Sequence, residues 1–178
     1  MVDLAMLQVV RDLVAIFGVI TGFSYYVLTV RNADKIRKQT VANELARDLS
    51  SQDFIGAFYE LTEMEWEDYD DYLSKYDSTV NRDNYIKRTV IWYTYNRLGY
   101  ELYRENIDIE TLHHILGYQG TWVLWNKFKP ILREYRKRYN IPDFMRWIEY
   151  LFEEMKKERE IQGLPTIPRD PEGYLVTE

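Results

Sequence analysis

Residues suited to chemistry are sparse in this chain, and the best spaced of them is Glu110-Thr-Leu-His113. An E-x-x-H spacing brings a carboxylate and an imidazole onto one helix face, since residues three apart are neighbours there. Di-iron bundles use two such motifs together with two further glutamates. This chain holds two histidines, His113 and the adjacent His114, which lie about 100° apart around a helix. A second E-x-x-H is absent, so one chain cannot build that site and a partner chain would have to supply the other half. The plainer expectation is one histidine packed at the domain surface and the other facing solvent. No cysteine is present, which removes disulfides, thiolate nucleophiles and Cys-based zinc sites. Nor does the chain contain a phosphate loop, a nucleophile elbow, a Rossmann fingerprint or a cofactor-lysine motif. The expectation is therefore no catalytic, cofactor-binding or metal site, no cofactor, and no enzymatic activity. A metal-dependent site on Glu110 and His113 stands as the enzyme alternative.

Two charged segments are the next candidates. Residues 60–77, ELTEMEWEDYDDYLSKYD, carry eight acids and one lysine, a local charge of −7 against −6 for the whole chain. The spacing is not that of a calcium-binding loop, and no glycine supplies its turn. One reading is a solvated helix face with Trp66, Tyr69, Tyr72 and Leu73 turned inward. The other is a docking surface for a basic partner, with Glu63, Glu67, Asp70 and Asp71 as its contacts. Residues 127–138 carry six basic residues and one acid, a net +5, and Lys127, Lys129, Arg133, Arg136 and Lys137 form the candidate basic face. The two segments can attract each other across a bundle or meet separate partners. Nucleic acid is not expected as a partner, because the chain is acidic and the basic face belongs to no recognition module. Near a membrane such a helix gains about 1 kcal/mol per basic residue from anionic lipid.

The elements that would position these groups begin with an apolar segment. Residues 13–30 are 18 residues without a charge, about 27 Å of helix against a hydrocarbon core of roughly 30 Å. The chain as a whole has a mean hydropathy of −0.46, so the apolar character is local. Tyr25 and Tyr26 suit an interface, and Gly18 and Gly22 form a small-xxx-small face that lets two helix backbones approach closely. Arg31, Lys35, Arg37 and Lys38 follow the segment against Asp34 alone, whereas Arg11 precedes it with Asp3 and Asp12. The positive-inside rule puts the N-terminus outside and the bulk of the chain in the cytoplasm, at the cell membrane. A cleaved signal peptide fits poorly, with an acidic start, a long apolar run and no A-x-A-like site. Arg11 and Asp12 belong at the outer interface, with Arg11 snorkelling, or against a polar partner helix within the membrane.

After the span the periodicity is helical throughout. Val41, Leu45 and Leu49 continue a helix to about Ser50. A second helix covers residues 54–64, a third 85–105 with Ile91, Tyr95, Leu98 and Leu102 on one stripe, and a short one follows Asp108 and stops near Gly117. Trp125, Phe128, Leu132, Tyr135 and Tyr139 mark a buried face at spacings of 3 and 4 on a helix that Pro130 should kink. Phe144, Ile148, Leu151 and Met155 align on the last helix. The expected fold is all-α: an N-terminal transmembrane helix followed by a cytoplasmic bundle of about five or six helices. The boundaries are 1–30 for the membrane segment, 31–163 for the helical domain and 164–178 for an extended or disordered tail.

This combination resembles a prokaryotic family of uncharacterised single-span membrane proteins with a small cytoplasmic helical domain, a domain of unknown function. The resemblance covers residues 13–159 and rests on DFIGAFYELTEMEWEDY, YIKRTVIWYTYNRLGYELYRENIDIETLHHILG and WVLWNKFKPILREYRKR. It implies the architecture and the anchor, and it implies no reaction. The expected function is a membrane-anchored protein–protein interaction module, with the lipid bilayer, one or more protein partners and a possible homo-oligomer as its associations. The alternative is an accessory subunit of a larger membrane enzyme complex.

Overall fold

The computed structural model describes residues 4–168, and all seven of their regular elements are α-helices. The part of the expected tail at 169–178 lies outside the described residues. The chain divides into two units, residues 1–40 and 41–178.

The first unit is the greater part of helix α1, Leu4–Leu49, which runs unbroken for 46 residues, about 69 Å. The expected span and the juxtamembrane helix are thus one element. No proline interrupts it, and several of its polar side chains bond along the helix. Thr29 and Thr40 donate their hydroxyls to the carbonyls of Tyr25 and Ile36, at 2.8 and 3.0 Å. Asp34 pairs with Arg37 at 3.0 Å and Lys38 at 3.5 Å, one turn on.

The second unit begins inside α1 and holds its own core. Leu45 and Leu49 are buried there, with Val41 and Ala42 packed against the same cluster. Helix α1 ends where Ser50 returns its hydroxyl to Ala46 O at 2.6 Å, and Ser51 caps α2, Gln52–Glu63, by accepting from Phe54 N–H. Side-chain oxygens set the next three starts as well. Asp68 caps α3, Tyr69–Tyr76; Asn81 caps α4, Arg82–Tyr103; Asp108 caps α5, Ile109–Leu116. Gly117, at φ +66°, ends α5 and passes directly into α6, Tyr118–Tyr139. Met145 adopts a left-handed φ of 54° ahead of α7, Arg146–Ile161, and Gly163, at φ +67°, closes that helix.

The acidic segment departs from a single helix face. Helix α2 stops at Glu63, Met64 turns extended with its side chain buried, and α3 starts only at Tyr69. Tyr69 and Tyr72 are buried as expected, while Trp66 and Leu73 are half-buried. Phe144 also falls outside its expected helix, in the turn before α7. On α6 the buried face holds for Trp125, Phe128 and Leu132, becomes half-buried at Tyr135, and ends at Tyr139, which is 56% exposed. The stripe outruns the helices that cover it.

Helix α4 is the hub: α7 packs along it most extensively, with α2 and α3 also against it. Gly99 is buried at the α4–α7 contact, where an added Cβ would overlap the Trp147 carbonyl and sit 2.7 Å from its carbon. A backbone atom cannot swing aside as a side chain can. Gly99→Ala is expected to destabilise the bundle by about 3 kcal/mol in urea denaturation, the upper end of the cost of overpacking. Gly56, on α2 with no atom within 4 Å of an added Cβ, is the control. Gly56→Ala is expected to stabilise by about 0.5 kcal/mol, because alanine loses less backbone entropy in a helix.

Candidate membrane helix and charged surfaces

The apolar face of α1 is the largest uncovered surface in the described chain. Its most apolar 18-residue window has a mean hydropathy of 2.0, and none of that window is buried. Val14, Phe17, Val19 and Phe23 each expose about two thirds of their surface or more. A helix of this length and composition is long and apolar enough to cross a membrane. In water a contiguous apolar surface of this kind marks a contact awaiting a partner or a bilayer.

Gly18 and Gly22 stand one turn apart on this helix, with no atom within 4 Å of where either Cβ would be. The small-residue face is open. Arg11 and Asp12 are paired with each other: Nε and Nη2 of Arg11 donate to Asp12 Oδ1 at 2.9 and 2.8 Å. Both side chains are exposed, so the pair has no other covering within the chain.

The acidic candidates separate into two kinds. Glu63 and Glu67 are exposed, and no ion pair forms at either among the described residues. Asp70 receives Arg138 Nη1 at 2.6 Å, and that hydrogen bond holds its carboxyl below the usual range. Asp71 accepts from Lys75 Nζ at 2.8 Å and from Glu67 N–H at 2.9 Å, which lowers it likewise, Lys75 contributing most. Asp68, outside the candidate set, accepts from the N–H groups of Asp70 and Asp71. Much of the local −7 is therefore engaged in starting α3 and tying it to α6.

The basic candidates separate in the same way. Lys127 is half-buried, donates to Thr62 O at 2.8 Å, and lies 5.2 Å from the centre of the Trp66 ring. Burial pulls its ammonium below the ordinary lysine value against a weaker upward pull from Glu65. Arg136 is also turned inward, with Nε on Phe144 O and Nη1 on Glu149, each at 2.7 Å. Lys129 is half-buried; Arg133 and Lys137 are exposed with only long contacts, 3.9 Å to Glu149 and 3.7 Å to Glu134. Arg138 makes the link the candidate set passed over. It bridges Asp70 and Glu134 and lies 4.5 Å over the Tyr69 ring, so the two charged segments do meet across the bundle. Arg88 was passed over too, although it sits three residues before Ile91 and seven before Tyr95 on the buried stripe of α4. That spacing is the signal that would have singled it out.

Glu110 and His114 are exposed, while His113 is half-buried with Nε2 3.1 Å from Met155 O. A carbonyl accepts only, so Nε2 carries the proton in that contact. The His113 ring also stacks near Tyr118, with centroids 6.2 Å apart. Among the described residues no third carboxylate or imidazole joins Glu110 and His113 in a group that could hold a metal.

No family model, curated protein or solved structure matches the chain.

The division between inward and outward cations can be tested on α6. Glu149→Ala leaves Arg136, 13% exposed in its side chain, without its carboxylate. The expected loss is about 2 kcal/mol in chemical denaturation, the range for a hydrogen bond to a charged group. Lys137→Ala, at an exposed position, is expected to leave the unfolding midpoint unchanged.

Proposed function

We propose that the protein is a single-span, membrane-anchored helical module without catalysis of its own, N-terminus outside, whose cytoplasmic bundle docks a protein partner. The observation that carries this reading is the uncovered apolar stretch of α1 joined to a second unit with a core of its own. The direction rests on Arg31, Lys35, Arg37 and Lys38 after the stretch, against Arg11 offset by Asp3 and Asp12 before it. The resemblance to single-span membrane proteins with a small helical domain supports the same arrangement. Within the two charged segments, the exposed Glu63, Glu67, Arg133 and Lys137 are charges that a partner could meet. Gly18 and Gly22 would serve a helix–helix contact in the bilayer, including one with a second copy.

A second reading is favoured by Arg11–Asp12. A pair that neutralises itself can enter a membrane interior beside a partner helix at lower cost than either charge alone. The protein would then be an accessory subunit of a membrane enzyme complex. Replacing both residues by leucine should reduce assembly of the complex while the chain still inserts; unchanged assembly rules that contact out.

The anchor and its direction are tested together. The full chain is expected to stay with membranes through alkaline carbonate extraction, and a chain beginning at Val41 to be released in soluble form. The chain has no cysteine, so single introduced thiols report without background. In intact cells a membrane-impermeant thiol reagent is expected to label Ala5→Cys and not Lys129→Cys. The opposite labelling would reverse the direction, and complete extraction by carbonate would remove the anchor.

A further inference from the structure

Helices α3, α4 and α6 enclose a cavity of about 320 Å³ that the membrane-anchor reading does not use. It is walled by aromatic rings, among them Tyr72, Tyr85, Trp92 and Tyr135, with Arg88 as its cationic lining residue. Arg88 is 5% exposed, and its Nη1 donates to Tyr76 O at 3.1 Å. Among the described residues no carboxylate pairs with it, whereas Arg136 and Arg138 on α6 hold Glu149 and Asp70 at 2.7 and 2.6 Å. The guanidinium lies 4.9, 5.2 and 5.3 Å from the ring centres of Tyr72, Tyr85 and Trp92.

Arginine stays charged in proteins, so burial leaves a full positive charge that rings compensate only in part. Buried cations are ordinarily paired. The acid that shares this cavity wall is Asp77, whose Oδ1 accepts from Thr79 N–H at 3.0 Å and Thr79 Oγ1 at 2.9 Å, and among the described residues it forms no ion pair with Arg88. Three further donors at the same wall are buried without partners: the hydroxyls of Tyr69 and Tyr72 and the indole N–H of Trp92. A fixed cation, surplus N–H and O–H donors and flat apolar walls together suit a planar anion. The volume lies at the lower end of the range for small-molecule sites.

We propose that this cavity binds a small aromatic carboxylate. The carboxylate pairs with the Arg88 guanidinium, whose planar fork matches two oxygens, and the ring lies among Tyr72, Trp92 and Tyr135. The walls come from three helices and the turn at Met145, so an occupant would fasten α3 to α4 and α6.

Benzoate is the probe, titrated into full-length protein in detergent micelles and followed by saturation-transfer NMR and tryptophan fluorescence. Saturable one-to-one binding is expected. Benzamide, which has the ring without the charge, is expected to bind about tenfold more weakly or less, as is benzoate to Arg88→Gln. Gly56→Ala, away from the cavity, is expected to bind benzoate as the wild type does. Should Arg88→Gln fail to fold, Tyr135→Leu removes one ring from a half-buried position and is expected to weaken benzoate alone. The proposal falls if the wild type shows no saturable binding, if benzamide binds equally well, or if Arg88→Gln folds and binds undiminished. It also falls if inorganic phosphate displaces benzoate with equal avidity, which would mark a simple anion site.

Discussion

The approach of α7 to α4 governs how the bundle closes. Helix α4 lies against α2, α3 and α7, and the Trp147 carbonyl occupies the space that a side chain at position 99 would need. Close approach there lets Ile148, Leu151 and Met155 of α7 reach the same buried cluster as Ile91, Tyr95 and Leu98 of α4. Asn96 of α4 adds a hydrogen bond to the Trp147 N–H at 3.2 Å, fixing the register at the point where α7 begins. Helix α6 completes the arrangement from the other side. Phe128 stands between Trp66 and Trp92, with centroids 5.3 and 5.4 Å away, and Trp125 stacks near Phe152 of α7. Aromatic side chains share the buried cluster with leucines, isoleucines and methionines and contribute large apolar surfaces to it.

Charge in this protein is mostly internal wiring. The run at residues 60–77 and the basic run at 127–138 look like two separate surfaces when their charges are summed. Asp70 and Arg138 join them, Asp68 and Asp71 are occupied at the start of α3, and Lys127 and Arg136 reach backbone carbonyls. The contact on a carbonyl lets Lys127 sit half-buried without a second charge, whereas Arg136 adds the Glu149 carboxylate to its carbonyl contact. What remains outward without a close ion pair among the described residues includes Glu63, Glu65, Glu67, Arg133 and Lys137. A partner attracted by charge would meet local patches, since the net charge of the whole face is diluted by internal pairing.

The two units answer to different environments. Residues 41–168 carry a buried apolar cluster of their own, with four helix starts capped by Ser51, Asp68, Asn81 and Asp108. The apolar stretch of α1 satisfies only its backbone, through its own helical hydrogen bonds, and leaves its side chains to the surroundings. That is the condition a bilayer demands of a spanning segment, where no water is at hand for an unpaired amide. Arg11 and Asp12 mark where this character breaks, and they meet the break by pairing with each other.

Sequence alone determined the helical class, the apolar stretch and its flanking charge, and the start of α5, because these depend on residues within a turn or two of one another. Asp108 and Gly117 bounding α5, or Ile91, Tyr95 and Leu98 on one stripe, are local patterns of this kind. Tertiary structure alone decided which charges found partners within the bundle: Asp70 meets Arg138 across 68 residues at the surface and Lys127 meets Thr62 across 65, separations over which periodicity carries no information. It also decided that α6 loses its cover before Tyr139, and that Met64 breaks the acidic segment by turning inward. Arg88 shows both sides. Its spacing puts it on the buried stripe of α4, but only the packing of α3 and α6 around that stripe left it among aromatic rings with no ion pair among the described residues.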